Sequence, residues 1–305
     1  MDVRPIDVDE LPRLVEVVQV IQPDEGHSVE GYVDWRRQTS DMVWLLAEDG
    51  GEVVGGGVGL VGWHTRPGIA RVEAWTLPAH RGKGAGSALY RALADWALER
   101  GCIELHTAVA ATDEASLRWT EQHGFREIGR NSRRVLDLTA VDPPPVDPPP
   151  GIAIVPWSEL DGAEDGLYAV YCEAEPDIPG EEANALPTLA DWLADDMEGA
   201  SDRRDAVFVA LAGDEVVGYA KLSIPPEGGD TAYHDLAGVL RAWRGKGIAG
   251  AMKRAQIAWA KTHGFRRLVT TNEERNEPIQ RLNERLGYAL EPGSIVLHTM
   301  LDASE

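Results

Sequence analysis

The sequence is short of positive charge, of lysine and of cysteine. Of its 305 residues, 29 are Lys or Arg against 51 Asp or Glu, a formal net charge of −22. A chain of that sign repels nucleic acid and anionic lipid at long range, so DNA, RNA and membrane are set aside as partners. A positively charged partner is steered favourably. Only 5 of the 29 are lysine, and with the abundant Ala, Gly and Asp this usage points to a bacterial chain from a GC-rich genome. Cys102 and Cys172 stand one in each half. They make neither a disulfide framework nor a metal spacing, so no metal is expected and a cytoplasmic setting is the default. No apolar run reaches the ~18 residues of a membrane span. Residues 1–14 lack the apolar core of a secretory signal. What remains is 43% apolar and 26% charged, the composition of a globular protein, and the length suggests two domains with a core each.

One stretch occurs twice. Arg81-Gly82-Lys83-Gly84-Ala85-Gly86 follows an apolar run ending at Trp75, Thr76 and Leu77, and precedes the helical pattern opening at Ser87. Arg244-Gly245-Lys246-Gly247-Ile248-Ala249 follows Gly238, Val239 and Leu240 and precedes the pattern opening at Gly250. A glycine-rich turn between strand and helix leaves backbone N–H groups uncovered at the positive end of a helix dipole, a site suited to phosphate. The repeat is in register at 163 residues: Trp96 maps to Trp259, Arg118 to Arg281, and Gly124-Phe125 to Gly287-Tyr288. A period that long is a duplicated domain, since solenoid units are much shorter. Neither turn spells Gly-x-Gly-x-x-Gly and no Gly-x-x-x-x-Gly-Lys-Ser/Thr occurs, which excludes Rossmann and P-loop enzymes.

With Arg81, Gly84 and Gly86, then Arg244, Gly247 and Ala249, spelling Arg-x-x-Gly-x-Gly/Ala twice, each half resembles the GNAT N-acetyltransferase superfamily. The tandem layout is similar to that of mycothiol synthase. The resemblance implies an α/β fold with a mixed sheet, duplicated, and acetyl-CoA as cofactor. It places the pyrophosphate on the two glycine turns and the pantetheine arm on the backbone of the strand before each. Asn276, beside the second turn's cofactor, reads as a helix cap first and a cofactor contact second. It also implies that a helix-loop-helix region covers the acceptor.

Read in order, residues 7–22 form a first helix with Leu11, Leu14, Val15, Val18 and Ile21 on one face, and 27–40 a weaker polar helix or loop. Residues 42–47 and 53–63 form a hairpin, and the three glycines at 55–57 imply a bulge or a close backbone approach. A central strand (70–77), the phosphate-binding helix (84–100), a strand (103–109) and a helix capped by Asp113 follow, with closing strands over 126–138. Six prolines in residues 142–150 make a stiff spacer, which divides the chain into domains 1–140 and 152–305 with a linker at 141–151. The second half repeats the order and closes its sheet with 295–301.

For chemistry, an amine attacks the thioester carbonyl and must lose a proton to a base. Candidates are Glu73 and Asp235, each on a central strand. His234 and Asp235 are neighbours on a strand, so both cannot face one pocket. In the family a tyrosine four residues before the Gly-Phe glycine protonates the departing thiolate. Thr120 and Asn283 stand there, of which Asn283 retains a hydrogen-bonding role. The run from Glu173 to Asp205 holds eleven carboxylates, among them Glu181 and Glu182, against Arg203 and Arg204, and reads as an anionic mouth or a solvated face. The sequence thus points to an acetyltransferase acting on a small cationic amine from its second half, as a monomer or homodimer. A non-catalytic cofactor-binding protein and a protein or peptide acetyltransferase stay open.

Overall fold

The chain opens with a strand that its residues do not announce. In the structure, a computed structural model describing residues 1–23, 27–39, 41–62, 65–179, 186–226 and 228–301, β1 (Asp2–Pro5) pairs antiparallel with β2 (Asp41–Asp49). Between them α1 (Leu11–Ile21) buries Leu11, Leu14, Val15 and Val18. The second helix, α2 (Val29–Gln38), is capped by Ser28, whose Oγ accepts from the Gly31 N–H. Next come β3 (Glu52–Val61), β4 (Ile69–Thr76), α3 (Ala85–Glu99), β5 (Glu104–Ala110), α4 (Glu114–Gln122) and β6 (Arg126–Asp137). The second half supplies β7 (Ile152–Pro156), α5 (Glu164–Ala174), the single turn α6 (Leu189–Trp192), β8 (Val207–Ala212), β9 (Glu215–Ser223) and β10 (Thr231–Val239). It ends with α7 (Ile248–Thr262), β11 (Arg267–Glu273), α8 (Glu277–Arg285) and β12 (Ala289–Met300). Trp63, Glu181 and Glu182 lie outside the described residues.

The chain packs as two units that exchange a strand. The first is Met1–Arg130 with the stretch from Ser294 onward; the second is Asn131–Gly293. In the first, strands run β1-β2-β3-β4-β5-β12, and Ser294–Met300 pairs antiparallel with Ala110–Glu104. In the second they run β6-β11-β10-β9-β8-β7, and Asn131–Asp137 pairs antiparallel with Glu273–Arg267. Each sheet is mixed, with one parallel pair, β4–β5 or β10–β11. The expected closure is therefore reversed: 131–137 serves the second sheet and 294–300 the first. Division at the prolines does not match the packing either. At Gly293 a Cβ would meet the Asn131 carbonyl oxygen at 1.8 Å, so the backbone passes there only as glycine.

Close approach explains the triple glycine. A Cβ on Gly55 would stand 2.5 Å from the Trp75 carbonyl oxygen, and one on Gly56 would stand 2.3 Å from a Leu14 methyl. Helices α1 and α3 press on opposite faces of β3, the latter through Leu89 and Leu93. In the second unit the proline stretch is fastened along α7: Lys261 Nζ donates to the Val141 carbonyl, and Arg254 donates to that of Asp147 at 3.0 Å. No helix among the described residues is long and apolar enough to cross a membrane.

Candidate active site

Beyond β10 the backbone turns through Gly245 (φ 75°) and Gly247 (φ 88°), left-handed conformations that favour glycine. A Cβ on Gly245 would meet nothing within 4 Å, so backbone sign rather than crowding selects the residue there. No side chain caps α7, and its first helical bond runs from the Ala251 N–H to the Gly247 carbonyl. The N–H groups of Ile248, Ala249 and Gly250 have no acceptor within the helix, and the dipole's positive end lies there. That cradle fits a pyrophosphate. Arg244 staples the turn: its Nε donates to the Val239 carbonyl at 2.8 Å and its guanidinium meets Asp177 at 2.6 Å. Arg241 joins the same carboxylate, and these two arginines hold the Asp177 carboxyl down at about 2.

The first unit repeats the turn at Gly82 (φ 73°) and Gly84 (φ 94°) ahead of α3. Its arginine has a different partner: Arg81 lies 3.7 Å from Asp113, the residue that caps α4 through the Ser116 N–H. Burial would raise the Asp113 carboxyl, but its hydrogen bonds with Ser116 and the charge of Arg81 hold it low. The position equivalent to Asp113 is Asn276, which heads α8 without making the expected capping bond. An anion on either turn thus has a carboxylate nearby, Asp113 at the first and Asp177 at the second.

The parallel pairs open in the same way. Only Thr231–Tyr233 registers with Arg267–Val269, and only Ile69–Arg71 with Glu104–His106; past these residues no further partners register between the strands. The units differ on the other side of the central strand. Between β10 and β9 the register shifts at His234/Ala237, whereas β4 and β3 pair without a shift from Arg71 to Thr76. A bulge re-aims side chains and takes backbone out of the ladder.

Asp235 sits in that bulge. Its carboxylate lies 2.8 Å from Lys221 Nζ and accepts from Ser223 Oγ at 3.1 Å. Lys221, buried on β9, also reaches Asp202 at 2.9 Å and the Asp196 carbonyl. Asp196 belongs to a π-helical turn, Leu193–Met197, that continues α6. Such turns are frequent at functional sites. Burial pushes the Asp196 carboxyl up to about 7; Lys221 opposes, while Asp235, Asp202 and Asp195 reinforce. Partial desolvation of the 42%-exposed Asp235 would raise it too, but Lys221 and the Ser223 hydroxyl outweigh that and hold the carboxyl low. Two carboxylates, Asp202 and Asp235, thus pair with one lysine, whose charge also acts on the Asp196 carboxyl.

On the opposite face of β10, His234 Nε2 lies 2.5 Å from the Tyr288 hydroxyl. Burial and the nearby Lys253 keep this imidazole neutral. Lys253 is itself buried, with no hydrogen-bond partner for Nζ among the described residues, and burial draws it down to about 7. Asn283 is fully buried on α8, where Nδ2 donates to Asn272 Oδ1 at 3.1 Å. Glu73 is half-buried on β4, and Trp75 is a core residue whose Nε1 donates to Gln22.

Three members of the acidic run are neutralised by arginines: Asp177 by Arg241 and Arg244, Asp205 by Arg203, Glu198 by Arg204. Of its members, Asp196 and Asp202 gather with Asp235 around Lys221. Sequence reasoning overlooked Lys221, Asp196 and Asp202 as a group. The signal was a lysine inside the apolar strand Tyr219-Ala220-Lys221-Leu222.

A profile of the acetyltransferase (GNAT) family matches residues 11–125 and again 165–288. Streptothricin acetyltransferase from Streptomyces lavendulae is 29% identical over 123 residues, 40% of this chain, and the match spans 64% of that relative's length. Two solved structures share the fold. A GCN5-related N-acetyltransferase from Sphaerobacter thermophilus has a TM-score of 0.75 at 22% identity, covering 98% of this chain and 95% of the other. A tandem GNAT protein from the clavulanic acid biosynthesis pathway has a TM-score of 0.79 at 17% identity, covering 100% and 99%.

Proposed function

The chain belongs to the acetyltransferase (GNAT) family, and on that premise we propose that its second unit transfers an acetyl group from acetyl-CoA to the primary amine of a small cationic molecule in the cytoplasm. The observation that carries this reading is the trio Asp196, Asp202 and Asp235 around Lys221, beside a bulge in β10 that has no counterpart between β4 and β3. Acetyl-CoA supplies an activated thioester carbonyl. The N–H groups of Ile248, Ala249 and Gly250 hold its pyrophosphate, and the backbone of Gly238, Val239 and Leu240 lines the pantetheine arm. Asp235, kept ionised by Lys221, holds the ammonium. Asp196, poised near neutrality, takes the proton that the amine must lose. Asn283 orients Asn272 at the end of β11 rather than meeting the sulfur. The first unit, whose central strand β4 pairs with β3 without a bulge, serves structure or silent cofactor binding. The name of the curated relative also favours a small-molecule acceptor.

Thiol release from acetyl-CoA, measured with amines of charge 0, +1 and +2 and with peptide amino termini, tests this. Cationic amines should give the highest kcat/KM, and that value should fall as salt screens the trio. Release with peptides alone would move the reading to protein acetylation. Cofactor binding without release for any amine would leave a non-catalytic binder.

A further inference from the structure

Glu104 and His106 stand two apart on β5, so both side chains leave the same face of the first unit's sheet. His298 on β12 is paired directly with His106, which puts it on that face as well. A single carboxylate oxygen, Glu104 Oε1, lies 2.9 Å from His106 Nε2 and 2.7 Å from His298 Nδ1. All three ligand atoms fall within 4.8 Å of one another, on side chains between 21% and 28% exposed. Among the described residues, no other group of His, Cys, Asp and Glu converges in this way.

We propose that Glu104, His106 and His298 bind a divalent transition-metal ion, with Zn²⁺ favoured by the two imidazoles and one carboxylate. That donor set suits zinc, and three protein ligands leave a fourth position for water. Tetrahedral bonds of ~2.0–2.1 Å place ligand atoms roughly 3.3 Å apart, so each Glu104–histidine separation opens by about half an ångström from its hydrogen-bonded value. The ion replaces two N–H···O bonds. Each ring then offers a lone pair where it had donated, its proton residing on the other ring nitrogen. Arg71, in register with His106 on β4, is a flanking cation that works against the ion, so the affinity is expected on the order of micromolar rather than nanomolar. The consequence is structural. Glu104 and His298 are 194 residues apart, and the ion clips the last strand onto β5 across that loop. The absence of a metal inferred from cysteine spacing overlooked histidines that meet only once strands pair.

The test is zinc titration of the full chain, stripped with chelator, against a chromophoric competitor in millimolar Mg²⁺. Magnesium occupies adventitious carboxylate sites without competing for imidazole. One Zn²⁺ per chain should bind, raise Tm, and give a low-coordinate absorption spectrum when Co²⁺ replaces it. His298→Ala and His106→Gln should each weaken binding at least tenfold, while His263→Ala, a histidine on another element, should not. A stoichiometry well below one, or full affinity in both ligand variants, overturns the site.

Discussion

Lys221 and Asp235 meet at 2.8 Å across neighbouring strands, the lysine side chain 5% exposed and the aspartate 42%. The positive charge is inside and one of its partners reaches outward. Burial alone would pull Lys221 down, but Asp235 and Asp202 outweigh it and keep it charged. The carboxylates near it differ: burial leaves Asp196 poised near neutrality although Lys221 opposes, while Lys221 holds Asp235 ionised. Opposed environments of this kind assign an acid–base pair its separate tasks.

Those tasks separate under mutation. Asp196→Asn should lower kcat by about 10²-fold or more, the usual worth of a general base. Wild-type activity should fall below pH 7 as Asp196 takes its proton, and that limb should vanish in the variant. Asp235→Asn should act mainly on KM for a cationic acceptor. Steady-state pH profiles for both variants decide it, and identical limbs in wild type and Asp196→Asn would remove Asp196 from the mechanism.

Removing the lysine tests the trio's dependence on it. Lys221→Met leaves Asp202 buried without its counter-ion, which costs roughly 3–5 kcal/mol of stability. Adding Asp202→Leu should restore a large part of the loss, because an unpaired charge and not a lost contact causes it. Urea melts of the single and double variants measure both.

Lys253 gives a stability signature of opposite sense to that of a paired lysine. Burial lowers its folded pKa to about 7 from 10.5, so between those values the unfolded chain binds the extra proton. Stability from this group is therefore absent below pH 7 and rises with pH, by up to about 1.4 kcal/mol per unit, until ~10.5. Lys253→Met should remove that rise. Unfolding free energies at pH 7 and 9.5 compare the slopes, and equal slopes would refute the buried neutral lysine.

Gly247→Asp should abolish acetyl-CoA binding in the second unit, since a carboxylate would face the pyrophosphate. Gly247 has φ 88°, so Gly247→Asn is the control for backbone strain: it bears the same shape without the charge. Calorimetry should show binding by the asparagine variant and not the aspartate. Loss in both would place the effect in the turn's conformation.

Severing the chain between Pro143 and Pro150 should not release two folded domains. The first fragment would carry Asn131–Asp137, which pairs in the second unit, and lack Ser294–Met300, which pairs in its own. Each piece alone should be poorly soluble, and mixing should restore a folded whole. Two well-behaved monomers would count against the strand exchange.

The two glycine turns were legible because a left-handed backbone narrows the choice of residue, and a repeat at 163 residues shows the constraint twice. The exchange was not. Arg126–Asp137 and Ala289–Met300 are equivalent segments of the repeat, so either offers its pattern to either sheet. Strand periodicity fixes which face a residue takes, not which neighbour the strand joins. The trio around Lys221 was hidden for a related reason: Asp196, Asp202 and Asp235 come from separate elements, and the charges of Asp196 and Asp202 looked like part of a longer acidic run. The sequence placed Asn283 four residues before Gly287, and its burial and contact with Asn272 appear only in the fold.

The strand exchange also sets an order of events at the ribosome. The first unit is nearly all translated by Arg130, but its sheet lacks the strand from Ser294 until the whole second unit has been made. Until then β5 presents an open edge on the nascent chain, and such edges invite pairing with other chains. The half made first is finished last, and its exposure lasts as long as the synthesis of some 160 residues, on the order of ten to thirty seconds at ordinary elongation rates.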